Sequence, residues 1–298
     1  MAPGRIDSPV QSSEAIPKGK PTVYLLDTFH PTALKHAQAK FNAILPSNPK
    51  HANWRENAEY LLIRGSYLTK QDVDQCPRLK AIGKQGVGID KLDSNACKQR
   101  GIPIFNTPGV NAQAVAETVL SLTMSVARQV GRITALQTDG EVVPKESCSG
   151  LIMRNKTIGI VGMGNIGQKV AAIFRGGLGC SIVAYDPLLP KDAWADVPHV
   201  RAETLEEVLD AADVVTLHIP LLPQTRGLVS YTQLARMKRN AILINTARGG
   251  IVDESDLQRA LEEQLIFGAG LDCHEQEPPT RERYGRLWAT DRDGDGRD

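Results

Sequence analysis

At 298 residues the chain is long enough for one large domain or two ordinary ones. Its composition, 41% apolar and 23% charged, is that of a soluble globular protein, and a formal net charge of +1 argues against nucleic acid or an anionic membrane as its main partner. No apolar run reaches the roughly 20 residues needed to span a bilayer. The five cysteines are scattered without a CxxC pair and the six histidines lack metal-binding spacing, so reduced thiols, no metal site and a cytoplasmic location are expected.

Residues 1–20 are rich in Pro, Ser and Gly, have no hydrophobic core for a secretory signal, and read as a disordered leader. Order is expected from Pro21. TVYLLDTF, AEYLLIRG, LKAIGKQG and IPIFNTPG are apolar strand-like runs, with helical stretches such as PTALKHAQAKF between them. This alternation predicts a parallel sheet covered by helices, a first domain over residues 21–110. Residues 111–130 carry apolar side chains at helical spacing for a long bridging helix, and residues 131–150 are polar and irregular, as in an arm or loop.

From Thr157 the alternation becomes regular: TIGIVG, SIVAYD, DVVTLHIP, AILINTA and FGAGLDC read as strands with a helix between each pair. Val/Ile-rich runs of this kind suit strands buried on both faces. The expected second domain covers 111–280. Residues 281–298 are highly charged and aperiodic, and contain no plausible strand.

GIVGMGNIGQKV places Gly162, Gly164 and Gly167 in a G-x-G-x-x-G pattern that follows a strand and opens a helix, the context that gives the pattern meaning. The first glycine permits the tight turn, the second lets a pyrophosphate approach the backbone, and the third lets helix and strand pack closely. The phosphates would rest on unpaired N–H groups at the positive helix end. Asp186 ends the next strand, where a carboxylate accepts hydrogen bonds from ribose hydroxyls and repels a 2′-phosphate. No arginine follows it at once, so NAD is favoured over NADP. The plainer reading of Asp186 is a solvated strand-end carboxylate.

With these segments, NTARGGIVDE, GAGLDCHEQEPP, KQGVGIDKLD and LHIPLLPQTRGL make the chain similar to the D-2-hydroxyacid dehydrogenase family, most of all to its phosphoglycerate dehydrogenase branch, over about residues 22–280. The resemblance implies an α/β protein in which a Rossmann NAD-binding domain is inserted in a flavodoxin-like substrate domain, with a cleft for the reaction. It implies a small-molecule 2-hydroxy or 2-keto acid as partner. It also implies a homodimer, with contact through residues 111–156. Arg248 would hold the substrate carboxylate and polarise its carbonyl, a task for a planar guanidinium. Glu277 would be the catalytic carboxylate that keeps a histidine protonated. Asp272 would lie near the nicotinamide carboxamide. Thr246 and Ala247 would line the cofactor through their backbones, and Asn165 and Ile166 would offer N–H groups to the pyrophosphate. Val87 and Gly88 match a substrate-carboxylate loop, and Arg64, Lys84 and Asn106 match further substrate contacts. A solvated Lys84 is the alternative.

One departure stands out. The family pattern carries a Pro-His segment where this sequence has Asp295, and no histidine follows His274. The substrate domain is therefore expected to be truncated at its C-terminal end. Without a positioned acid, a loss of about 10²–10⁴-fold in rate is expected. A catalytically impaired NAD(H)-binding module, or a truncated gene product, is the competing reading. His218 and His274 are the histidines nearest the expected site.

Overall fold

A computed structural model describes residues 19–190 and 192–289. Most of the expected leader, residues 1–18, and the end of the charged tail with Asp295 lie outside the described residues. The chain divides between Pro108 and Gly109 into two compact units.

The first unit contains β1 (Thr22–Leu25), α1 (Pro31–Lys40), β2 (Asn42–Ile44), α2 (Trp54–Asn57), β3 (Tyr60–Ile63), α3 (Lys70–Asp74), β4 (Ala81–Lys84), α4 (Ser94–Gln99) and β5 (Ile104–Phe105). Its five strands are all parallel in the order β2-β1-β3-β4-β5. That is the flavodoxin-like order. Leu25, Leu61, Ile63 and Ile82 are almost fully buried in the sheet, with Leu68 and Val73 packed over it. Local signals agree with the packing. Thr69 and Asp72 form a reciprocal capping box at the start of α3, and Asp93 caps α4 through the Ala96 N–H.

The second unit opens with α5 (Ala112–Ala127) and α6 (Val130–Thr138). There follow β6 (Thr157–Val161), α7 (Asn165–Leu178), β7 (Ser181–Tyr185), β8 (Val200–Arg201), α8 (Leu205–Ala211), β9 (Val214–Leu217), α9 (Tyr231–Arg236), β10 (Ile242–Asn245), α10 (Glu254–Glu262), β11 (Gly268–Leu271) and α11 (Arg281–Ala289). The sheet order is β11-β10-β9-β6-β7-β8, again with every pair parallel. Read from one edge to the other this is the doubly wound Rossmann order, whose switch point falls between β6 and β9. The burial pattern of β9 and β10 has no exposed residue, as a sheet covered on both faces requires.

Two stretches differ from expectation. Residues 131–150 are not wholly irregular, because α6 continues the chain after α5. Gln129, in the left-handed conformation at φ 52°, breaks the two helices apart. The charged segment after Thr280 forms α11 as far as Ala289. Its apolar residues are few, but Tyr284 and Leu287 stand three apart, share one face and are buried against the second unit's core. No helix among the described residues is long and apolar enough to cross a membrane.

Candidate active site

In the second unit the turn after β6 is built by two glycines for the protein's own packing and by one that the protein does not need. Gly162 has φ +99°, and a Cβ there would lie 2.5 Å from the His218 carbonyl oxygen. A Cβ at Gly167 would lie 2.4 Å from the Gly162 oxygen. Gly164 has the ordinary backbone angles φ −74° and ψ −162°, and a Cβ there would meet nothing within 4 Å. The chain's own packing therefore does not require a glycine there, and the turn is left with open space beside it. Gly164 is also the N-cap of α7 and supplies no side-chain cap. The N–H groups of the first turn, from Asn165 and Ile166 onward, thus point out of a 14-residue helix at its positive end. The cradle fits a dinucleotide pyrophosphate.

Asp186 lies one residue past β7. Its carboxylate accepts hydrogen bonds from Met163 N at 3.0 Å and from Leu188 N at 3.0 Å, so it is held against the glycine turn with lone pairs to spare for ribose hydroxyls. Two supports were invisible in the sequence. Trp194 Nε1 donates to Met163 O at 2.7 Å, and its ring packs beside Gly167. Arg201, from the two-residue strand β8, donates to the carbonyls of Asp186 and Leu189. An arginine thus lies beside Asp186 in space though not in sequence, and its guanidinium is engaged by main-chain oxygens.

The turn after β10 carries Thr246, Ala247 and Arg248. The buried Asn245 side chain braces it, accepting from Ala247 N at 3.1 Å and donating to Arg248 O at 2.9 Å. Arg248 Nη1 donates to Ala247 O at 2.6 Å. At Gly249 a Cβ would lie 1.9 Å from the His274 carbonyl oxygen. The turn is therefore pressed against the chain leaving β11, where Asp272 N donates to Asn245 O at 3.0 Å. Arg248 and the Asp272–Glu277 stretch are brought together in this way.

Burial, and then the negative charge of Glu277, raise the Asp272 carboxyl, while His274 lowers it. The Cys273 thiol is pushed up to about 12, first by burial and then by Asp272 and Glu277. It is inert at neutral pH. The loop bearing Glu277 is tied down by Glu254, which accepts from Glu275 N at 2.7 Å, and by Tyr284 of α11, whose hydroxyl accepts from Gln276 N at 2.8 Å.

The two histidines nearest the expected site are both engaged. His218 pairs through Nε2 with Thr216 Oγ1 at 3.0 Å, and burial lowers its pKa to about 3. Burial therefore keeps the ring neutral at physiological pH, so it is not an imidazolium acid there. The His274 ring meets Tyr284 edge-on at 4.9 Å, within a cluster completed by Trp288.

The first unit gathers the other candidates at the carboxyl ends of its strands. Arg64 follows β3 and is exposed. Asn106 Nδ2 donates to Val87 O at 2.7 Å, and Thr107 Oγ1 accepts from Gly86 N at 2.8 Å, so the loop through Val87 and Gly88 is tied to the segment that follows β5. Lys84 is not solvated. It is 8% exposed, and its Nζ donates to Arg64 O and Gln85 O, both at 2.7 Å. Sequence reasoning missed Asp27, which follows β1. Its carboxylate accepts from Arg64 N at 2.6 Å, Ser66 N at 3.0 Å and Ser66 Oγ at 2.8 Å. Burial raises its pKa, but the hydrogen bonds from Arg64, Ser66 and Gly65 outweigh that and hold the carboxyl below the usual carboxylate range.

A doubly wound sheet with a glycine cradle at its switch point and an acidic residue after the second strand defines a dinucleotide-binding protein. Residues 120–292 match the family profile described as D-isomer specific 2-hydroxyacid dehydrogenase, NAD binding domain, and the chain belongs to that family, with NAD as its cofactor. D-3-phosphoglycerate dehydrogenase of Methanocaldococcus jannaschii is 37% identical over 75% of this chain and 43% of its own length. Hydroxypyruvate reductase of Thermotoga maritima is 36% identical over 78% of this chain and 74% of its own. Among solved structures, the TT0316 protein of Thermus thermophilus superposes with a TM-score of 0.79 at 35% identity, over 91% of this chain and 87% of that one. The chain spans less than half the length of the phosphoglycerate dehydrogenases it matches. The match reaches past Pro279 to residue 292, so part of the charged segment belongs to the family pattern.

Proposed function

We propose that the chain is an NAD-dependent oxidoreductase that interconverts a D-2-hydroxy acid and its 2-keto acid, with 3-phosphoglycerate as the first candidate and glycerate as the second. The observation that carries this reading is the bracing of Arg248. Asn245 fixes the backbone on either side of it, and the packing of Gly249 sets it beside the stretch that ends in Glu277. A guanidinium held this way can bind a carboxylate through two N–H donors and polarise the neighbouring carbonyl. Asp272, Thr246 and Ala247 line the same end of the sheet, where the backbone of the β10 turn would hold the nicotinamide. When bound, the cofactor supplies or accepts the hydride. Two such acids are named because the phosphoglycerate dehydrogenase and hydroxypyruvate reductase relatives are similar at nearly the same level.

The substrate's 2-oxygen must also gain or lose a proton. No histidine follows His274 in these 298 residues. Assayed by themselves, they are expected to bind cofactor and acid but to turn over about 10²–10⁴-fold more slowly than with a positioned acid. The test follows NADH absorbance with hydroxypyruvate and with phosphohydroxypyruvate, alongside calorimetric titration of NADH. Arg248→Ala should leave NADH binding within about 3-fold and lower the residual kcat/KM by ~10²–10³-fold. Folded protein that binds NADH and shows no affinity for any 2-keto or 2-hydroxy acid would instead support the NAD(H)-binding module.

A further inference from the structure

Arg64 follows β3 at the carboxyl end of the first sheet, the edge where open α/β sheets receive ligands. Its backbone is held from both sides by charged side chains. The Asp27 carboxylate accepts a hydrogen bond from Arg64 N at 2.6 Å, and Lys84 Nζ donates one to the Arg64 carbonyl oxygen at 2.7 Å. Asp27 also takes the N–H and hydroxyl of Ser66, and that hydroxyl lies 3.3 Å from Leu26 O, so residues 64–66 are stapled to the end of β1. Hydrogen bonds to ionised groups are about twice as strong as neutral ones. Two such groups converge on the backbone of this one residue. The Arg64 side chain itself is exposed and makes no hydrogen bond or ion pair among the described residues.

We infer that Asp27 is a positioning residue for Arg64: it fixes the backbone that presents the guanidinium to the anionic end of the acid. The inference rests on the proposed function, and it assigns Lys84 to the same clamp rather than to the substrate. Asp27 touches no ligand in this scheme. It acts by removing the freedom of a long side chain's anchor, which lowers the entropy cost of binding.

The test is calorimetric titration of 3-phosphoglycerate into the full chain with NADH present, so that no turnover occurs. Asp27→Asn keeps the size of the side chain and removes its charge. It should weaken the acid about 10-fold and leave the NADH affinity unchanged. Amide exchange at Arg64 and Ser66 should become faster. In an Arg64→Ala background the same change should cost less than about 2-fold, because the group being positioned is gone. If Asp27→Asn loses its cooperative melt, Ser66→Ala removes a single donor and carries the same prediction at about 3-fold. Equal binding by the unaltered and Asp27→Asn chains overturns the inference, as does a 10-fold loss that persists without Arg64. If the unaltered chain binds NADH but no 2-hydroxy acid, the functional reading fails and the role of Asp27 falls with it, whatever the exchange rates show.

Discussion

The glycine cradle of the second unit and the loops of the first that carry Arg64 and Val87 sit at equivalent places, the carboxyl ends of parallel strands, yet they are built by opposite means. The cradle is made of backbone. Its shape comes from glycines where a Cβ would collide with main-chain oxygens, at Gly162 and Gly167. The loops of the first unit are made of side chains. Asp27, Lys84, Asn106 and Thr107 reach across from neighbouring strands to hold the main chain of Arg64, Gly86 and Val87. A backbone-built site tolerates almost no substitution at its glycines. A side-chain-built site can be loosened one hydrogen bond at a time.

The sharpest way to break this contrast is within the cradle. Gly162→Ala combines a left-handed φ with a contact of 2.5 Å to a main-chain oxygen, neither of which can relax cheaply. It should lower stability by about 3 kcal/mol or more, measured by urea denaturation. Gly164→Ser should do the reverse. Serine is a good N-cap and the space around it is empty, so stability should stay within about 0.5 kcal/mol. NADH affinity should fall by at least about 10-fold, because the added atoms occupy the room left for the pyrophosphate. Unchanged NADH affinity in Gly164→Ser would show that the open space has no bearing on the cofactor.

The same difference explains what was legible in the sequence. Glycines at fixed spacing, and an acid at the end of the next strand, can be read in one dimension because the physics behind them is local. The strand alternation was legible for the same reason, and it led to both parallel sheets. Asp27 was not legible, since its partners lie 37 and 39 residues away and only the pairing of β1 with β3 brings them together. Arg201 was missed because β8 is too short to show a period. Lys84 could be named as a residue of interest, but nothing in KQGVGID says whether its ammonium faces water or two carbonyls. In α11 the aromatic and aliphatic residues only equal the charged ones, and the buried face is carried by Tyr284 and Leu287, too short a pattern to show a period.

In the first unit the contrast predicts a division of labour between two basic residues. Lys84→Met should cost ~1–3 kcal/mol in stability, because two backbone carbonyls lose a charge-assisted donor at a buried site while the buried charge itself is relieved. Arg64→Ala should stay within about 0.5 kcal/mol, since the side chain is exposed. Paired denaturation curves decide this. A larger loss for Arg64→Ala than for Lys84→Met would reverse the assignment.

The smallest expected effect is on the acid limb of stability. The folded-state pKa of Asp27 lies below its ordinary value of 3.8, so the ionised form stabilises the fold at all pH values well above that. The contribution falls away as pH drops through 3.8 toward the folded value, because the unfolded chain takes up the proton first. Asp27→Asn should therefore be less stable than the unaltered chain at neutral pH, and the two curves should converge below about pH 4. Other carboxylates titrate in the same window. Asp72, which partial burial raises but hydrogen bonds from Thr69 and Arg55 hold down, contributes with the same sign, so only the difference between the two proteins reports Asp27. A difference that stayed constant from neutral pH to the acid limb would mean that the amide loses shape or packing rather than charge, and that a neutral acceptor holds the Arg64 turn as well as a carboxylate does.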